Sequence, residues 1–119
     1  MKLVEQQAEF LKDVANLINE GVRLGYVLTG GELFRTQDQQ DIYLRIGKSK
    51  IKHSCHQDRL AIDLNCFIKD ALGNYALTYK KDIIEPLGKF WESLNPLNKW
   101  GGFWADPCDT DHFQRNIVS

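Results

Sequence analysis

The chain reads as an α+β domain, a small antiparallel sheet flanked by helices. Three observations carry that reading. Residues 3–24 and 82–94 space their apolar side chains at three- and four-residue steps, as amphipathic helices do. Residues 60–68 instead alternate with a period of two, as a half-buried strand does. The extended segments are joined by hairpin turns rather than by helical crossovers, which favours antiparallel pairing.

The first helix aims Phe10, Leu11, Val14, Leu17, Ile18 and Val22 inward, and Gly25 is its stop. A short strand follows at residues 26–29. Gly30-Gly31 marks a bend, and residues 32–35 resume an extended course. Thr36 is an N-cap, with Gln39 at the third position of a helix that runs to about Arg45 and ends at Gly47. Residues 48–58 are a polar loop. In the strand at 60–68 every even-numbered position is apolar, while Asp63 and Asn65 share the other face with the small Ala61. A carboxylate beside a small residue on one strand face suits a ligand at the floor of a cleft. The turn at 72–74 returns the chain as a hairpin partner at 75–78. The second helix turns Ile83, Ile84, Leu87, Phe90, Trp91 and Leu94 inward, carries Pro86 in its first turns and closes at Asn95-Pro96. An aromatic, turn-rich tail leads to a last strand at 112–118.

Bulk properties bound the function. The chain has 119 residues, which predicts one domain spanning 1–119 around a single modest core. A net charge of -1 and a pI near 6.3 leave no electrostatic footprint for nucleic acid or an anionic membrane. No apolar run approaches the ~20 residues of a membrane span. The N-terminus lacks the basic and apolar regions of a signal peptide. Cys55, Cys66 and Cys108 cannot all pair within one chain and show no C-x-x-C spacing. They read as reduced packing residues.

Two imidazoles and two carboxylates then stand out: His56, Asp63, Asp109 and His112. A hydrolytic zinc site takes three nitrogen or oxygen ligands, an open coordination position and a base beside it. His56 and Asp63 lie seven residues apart, too far for one helical turn, but a loop leading into a strand can join them. His112 would come from elsewhere in the fold. His53 is a rival ligand, although the polar loop around it favours a solvated or supporting residue. No base and orienting acid are placed to activate a serine nucleophile.

The pattern Ser54-x-His56-x6-Asp63, then Trp100-Gly-Gly-x-Trp104, then Asp109-x-x-His112-Phe113 resembles the zinc peptidases of the D-alanyl-D-alanine carboxypeptidase family. It looks most like the branch that contains phage L-alanyl-D-glutamate endopeptidases, the endolysins. The upstream segment Glu32-Leu-Phe34-Arg35-Thr36, with Gln40 on the next helix, is similar to that family's G-Y-R-[ST] region. The resemblance implies a D,D-peptidase/hedgehog-like fold and Zn2+ held by His56, Asp63 and His112. It implies Asp109 as general base, with Arg35, Gln40, Ser54 and Trp104 toward the substrate. Arginine offers a planar fork matched to a carboxylate or carbonyl of a peptidoglycan stem peptide.

Asp111 and Asp106 are rivals for the base, and alternation along a strand ending at His112 would turn Asp111 to the opposite face. Ser54 has a loop-capping alternative, and Trp100 and Trp104 have a core-packing one. Two positions depart from the family pattern: Arg59 stands where it has glycine, and Phe34 where it has tyrosine. The implied protein is a monomeric cell-wall hydrolase with no separate wall-binding module. It would wait in the host cytoplasm and reach the wall after release. The alternatives are a D,D-carboxypeptidase and a non-catalytic cell-wall-binding relative.

Overall fold

The computed structural model describes residues 1–118. Helix α1 (Leu3–Arg23) leads into strand β1 (Val27–Gly30) and helix α2 (Gln37–Arg45). Strands β2 (Ala61–Lys69) and β3 (Tyr75–Thr78) form a hairpin, followed by helix α3 (Lys81–Leu94). Strands β4 (Asn98–Trp100) and β5 (His112–Arg115) complete a sheet in the order β1-β2-β5-β4, with β3 also paired to β2. Every pairing is antiparallel, as the sequence predicts. No helix among the described residues is long and apolar enough to cross a membrane.

One face of the sheet packs on α1 and α3. Phe10, Val14 and Leu17 meet Leu64 and Cys66 of β2, Ile84, Leu87 and Trp91 of α3, and Trp100 and Phe113 of β4 and β5. Trp91 stands edge-on to Phe10 and to Phe113, with ring centroids 5.6 and 6.2 Å apart. Its indole N–H donates to the carbonyl of Gln114 at 3.0 Å, so this large ring enters the core without an unpaired donor.

The α1 stripe is narrower than the periodicity predicts. Phe10, Val14 and Leu17 are buried, whereas Leu11, Ile18 and Val22 are exposed. Two polar or small residues complete the inner face instead. Gly21 lets Leu28 approach so closely that an added Cβ would lie 2.6 Å from it. Gln6 is buried because its amide donates to the carbonyls of Met1 and Val118 and accepts from the Val118 N–H. Residues 32–35 form no ladder strand, though Gly31 and Glu32 still exchange backbone bonds with Asp63 at 2.8 and 2.9 Å. The last strand stops at Arg115, and its partner β4 lies in the tail that the sequence marks only as turn-rich.

A buried polar cluster ties β5 and β4 to α1. Arg115 is 3% exposed and pairs with Asp13, while its Nε donates to Asn98 Oδ1 at 3.0 Å. Asn98 Nδ2 donates in turn to Asp13 and to the Trp91 carbonyl, both at 3.1 Å. Removing one member of such a pair leaves a shielded charge without compensation. Arg115→Met is therefore expected to lower the unfolding free energy by about 3 kcal/mol in urea with an unchanged m-value. A loss below about 1 kcal/mol would mean that the cluster is solvated well enough to do without its cation.

Candidate metal centre and cleft

Register builds the centre. Asp63 of β2 lies directly across from His112 of β5, so their side chains leave the same sheet face, opposite the core. The 3₁₀ turn Cys55–Asp58 brings His56 over that pair. Ser54 caps the turn: its Oγ accepts from the His56 N–H at 3.2 Å, while Gln57 reaches back to the Ser54 N–H at 2.8 Å. One ligand atom from each of His56, Asp63 and His112 lies within 4.8 Å of the others. Asp63 Oδ1 is 3.3 Å from His56 Nε2 and 3.4 Å from His112 Nδ1.

The outer nitrogens of both rings are already committed. His56 Nδ1 donates to the Leu33 carbonyl at 3.2 Å, because a carbonyl can only accept. His112 Nε2 lies 2.8 Å from Gln114 Oε1, and the Gln114 amide nitrogen donates to Asn116 at 2.8 Å, which fixes the amide's orientation. In the neutral tautomers that these bonds select, the inner nitrogens are lone pairs aimed at the oxygen of Asp63. That oxygen is buried with no hydrogen-bond partner. Three converging acceptors need a cation, and these residues could hold a metal ion. Acid–base properties record the same attraction. A proton can stand in for that cation: burial alone would raise the Asp63 carboxyl, but hydrogen bonding and charge from His112 and His56, when the imidazoles carry that proton, outweigh it and hold Asp63 at about 2. Burial likewise opposes charge on His112, yet Asp63 and Gln114 raise its pKa.

The glycines of the Trp-Gly-Gly segment set the next residue. A Cβ on Gly101 would lie 2.3 Å from the Asp109 carbonyl oxygen, and one on Gly102 would lie 2.1 Å from the Trp100 ring. Trp100 is wholly buried and its indole N–H donates to the Thr110 carbonyl at 2.8 Å. The turn that carries Asp109 is thus held against the β4 end by backbone contact and by Trp100. Asp109 lines the cleft, and so does Asp111, against the alternation expectation. β5 begins at His112, so Asp111 belongs to the preceding turn and strand alternation does not govern it. Burial, the hydrogen bond with Asp109, and the charges of Asp63 and Asp109 all hold the Asp111 carboxyl well above the usual carboxylate range.

The opposite wall of this cleft, whose volume is about 700 Å³, carries Arg35, Tyr43 and Lys48. Arg35 donates from Nε to Glu32 and from Nη1 to Gln40, each at 2.7 Å, and lies 4.7 Å from the Tyr43 ring centre. Gln40 does not itself face the cleft, a correction to its expected substrate contact. It is fully buried, and its amide nitrogen donates to Ser49 Oγ and the Ile51 carbonyl at 2.9 and 2.6 Å. Gln40 therefore aims Arg35 and anchors the 48–51 loop. Trp104 lines the cleft with its ring 5.1 Å from His112, whereas Trp100 went to the core. His53 is exposed and bonded to Asp58 at 2.9 Å, away from the centre.

Gln114 and Lys48 are cleft residues that the motif reading passed over, and Glu32 is one to which it gave no role. Only Gln114 had a sequence signal: it sits two residues after His112, on the same strand face. The two departures from the family pattern meet each other. Arg59 has φ +55°, a left-handed backbone that glycine adopts freely, and its guanidinium lies 4.2 Å over the Phe34 ring. Burial pushes the thiols of Cys55 and Cys66 up to about 11, consistent with inert packing residues.

Comparison with known proteins identifies the fold and the family. No curated protein matches the chain. Among solved structures, the L-Ala D-Glu endopeptidase ChiX of Serratia marcescens superposes with a TM-score of 0.67 at 20% identity, over 88% of this chain and 79% of that one. At that identity the likeness establishes the shared fold. A family profile described as D-alanyl-D-alanine carboxypeptidase matches residues 47–115, which include His56, Asp63, Asp109 and His112. Because that match spans more than half of the sequence, the chain belongs to the D-alanyl-D-alanine carboxypeptidase family of peptidases.

Proposed function

We propose that the chain is a zinc-dependent peptidase that hydrolyses peptidoglycan stem peptides at the L-alanyl-D-glutamate bond, as a phage endolysin does. The observation that carries the proposal is the convergence of His56 Nε2, His112 Nδ1 and the unpartnered Asp63 oxygen in a cleft that also holds Asp109 and Arg35. The fold shared with an L-Ala D-Glu endopeptidase supports this choice of bond. The family description keeps D-alanyl-D-alanine carboxypeptidase as the second reading.

In this reading His56, Asp63 and His112 would hold Zn2+, which would supply Lewis acidity for peptide hydrolysis. Asp109 takes the proton of the attacking water and returns it to the leaving amine. Arg35 keeps its fork oriented through Glu32 and Gln40 and binds a carbonyl or carboxylate oxygen of the peptide. Trp104 shields the centre beside His112. Ser54 acts through His56, by fixing the turn that carries it.

Zinc titration calorimetry is expected to give about one equivalent per chain, abolished in the His56→Ala/His112→Ala double variant. The ligands must shed protons to bind, and His112 has a raised pKa, so apparent affinity should strengthen as pH rises through the imidazole range. Affinity that is flat with pH, or retained by the double variant, would place the metal elsewhere.

Asp109→Asn keeps the shape but removes the proton acceptor. It is expected to keep zinc and fold while turnover falls about 100-fold or more, with Asp111→Asn doing much less. The reverse order would move the base to Asp111. The bond is read from digested peptidoglycan by mass spectrometry of its products. New amino termini on D-glutamate or D-isoglutamine are expected. Free D-alanine without them selects the carboxypeptidase, and neither product from a zinc-loaded sample selects a binding role.

A further inference from the structure

The sheet face that carries Asp63 does not end at the metal centre. Asp63, Asn65, Phe67 and Lys69 alternate onto one face of β2, while Leu64 and Cys66 enter the core on the other. Register extends each of these positions sideways into a row. Asn65 pairs with Thr29 of β1, and its amide donates to the Thr29 hydroxyl at 3.3 Å. Phe67 lies between Val27 of β1 and Leu77 of β3, three apolar side chains abreast. Lys69 pairs with Tyr75, and its ammonium lies 5.7 Å from that ring. None of Val27, Phe67, Leu77 and Tyr75 packs against the core cluster; Leu77 is 45% and Tyr75 56% exposed.

Direction decides what this surface meets. Gly31 and Glu32 flank Asp63, and the chain then runs to Arg35, whose amide donates to the His56 carbonyl beyond the N-terminal end of β2. Arg35 and Lys48 line the cleft, and the apolar row lies outside its lining, further along β2 past Asp63. A peptide whose carboxylate-bearing D-glutamate sits toward Arg35 must run its other side out over β2. In a stem peptide that side is one L-alanine and a lactyl group, then the sugar. One extended residue and a three-carbon linker reach about 7 Å. At about 3.3 Å per residue, the Asn65 row is ~7 Å and the Phe67 row ~13 Å along β2 from Asp63.

We propose that the outer face formed by Thr29, Asn65, Val27, Phe67, Leu77 and Tyr75 is a glycan subsite, which seats the amino-sugar rings attached to the peptide being cut. The inference rests on the L-alanyl-D-glutamate reading above. The chemistry of the two surfaces corresponds. The C–H face of the first pyranose covers Phe67 and Leu77, and that of the second reaches Tyr75, whose row is ~20 Å along β2 from Asp63; the electron-rich rings attract C–H edges. The acetamido and hydroxyl groups of the first pyranose meet Asn65 and Thr29, which are polar and uncharged. A free peptide carboxylate finds no such match here, because the row holds one cation, Lys69, already over Tyr75.

The test compares kcat/KM for two substrates. One is a disaccharide-linked L-alanyl-D-glutamyl-diamino-acid peptide, and the other is the same tripeptide N-acetylated and without sugar. The wild type is expected to prefer the first by about fivefold or more, the scale of one or two exposed ring contacts. Tyr75→Ser/Leu77→Ser should bring that ratio near one, while Tyr75→Phe keeps it. A ratio cancels any general loss of folded enzyme. A wild-type ratio near one, or an unchanged ratio in the double variant, overturns the subsite. So does light scattering that shows a wild-type dimer split by the double variant, since a second copy would then cover this face. If zinc-loaded wild type cuts neither substrate, the peptidase reading itself fails and takes the subsite with it.

Discussion

The antiparallel pairing of Asp63 with His112 is the constraint from which the rest of the site follows. It sets a carboxylate and an imidazole side by side on the solvent face of a sheet whose other face is the core. Most of the molecule serves to keep that register. Leu64 bonds to the Asp111 carbonyl just beyond the pair, and Arg115 bonds to the Leu60 carbonyl on its other side. The Arg115–Asp13–Asn98 cluster then fastens the same strand to α1. A slip of one residue would send His112 into the core and Phe113 into the cleft. Register is thus guarded by both polar satisfaction and burial.

The oxygen left without a donor on Asp63 is where stability is given up for chemistry. A buried acceptor with no partner costs about 1–3 kcal/mol. Among the described residues only the two imidazoles approach it, with nitrogens 3.3 and 3.4 Å away. Leu33 and Gln114 take up the outer imidazole nitrogens and leave only lone pairs facing inward. Gln40 spends both ends of its amide on Arg35 and the 48–51 loop and none on the centre. The acidic turn at 109–111 is likewise held from behind, by Gly101 and by the Trp100 indole. The site is pre-organised by groups that do not enter it.

Much of this was legible in the sequence, for identifiable reasons. Period-two alternation exposed β2 and the odd face of Asp63, and the Thr36 cap was visible because its hydroxyl binds the Gln39 N–H locally, at 3.1 Å. The proposed ligand set came from ordered motifs, and the fold brings His56, Asp63 and His112 within 4.8 Å of one another. What escaped depends on contacts distant in sequence. α1 was read with too wide an inner stripe because Gly21, an inward position only beside Leu28, carries no apolar signal. β4 has three residues and exists through its partner β5. Asp111 was assigned to the wrong face because the alternation argument took a strand ending at His112, whereas the strand begins there. Gln40 was matched to the substrate side by its motif, whereas its burial is a tertiary fact.

The central claim is that two neutral imidazoles, His56 through Nε2 and His112 through Nδ1, share a cation with Asp63. Anomalous diffraction at the zinc edge from crystals grown with Zn2+ tests it most directly. The account predicts one strong peak about 2.0–2.2 Å from those two nitrogens and from an Asp63 oxygen. A peak coordinated by His53 or Cys108, or by His112 through Nε2 with Gln114 displaced, would contradict it.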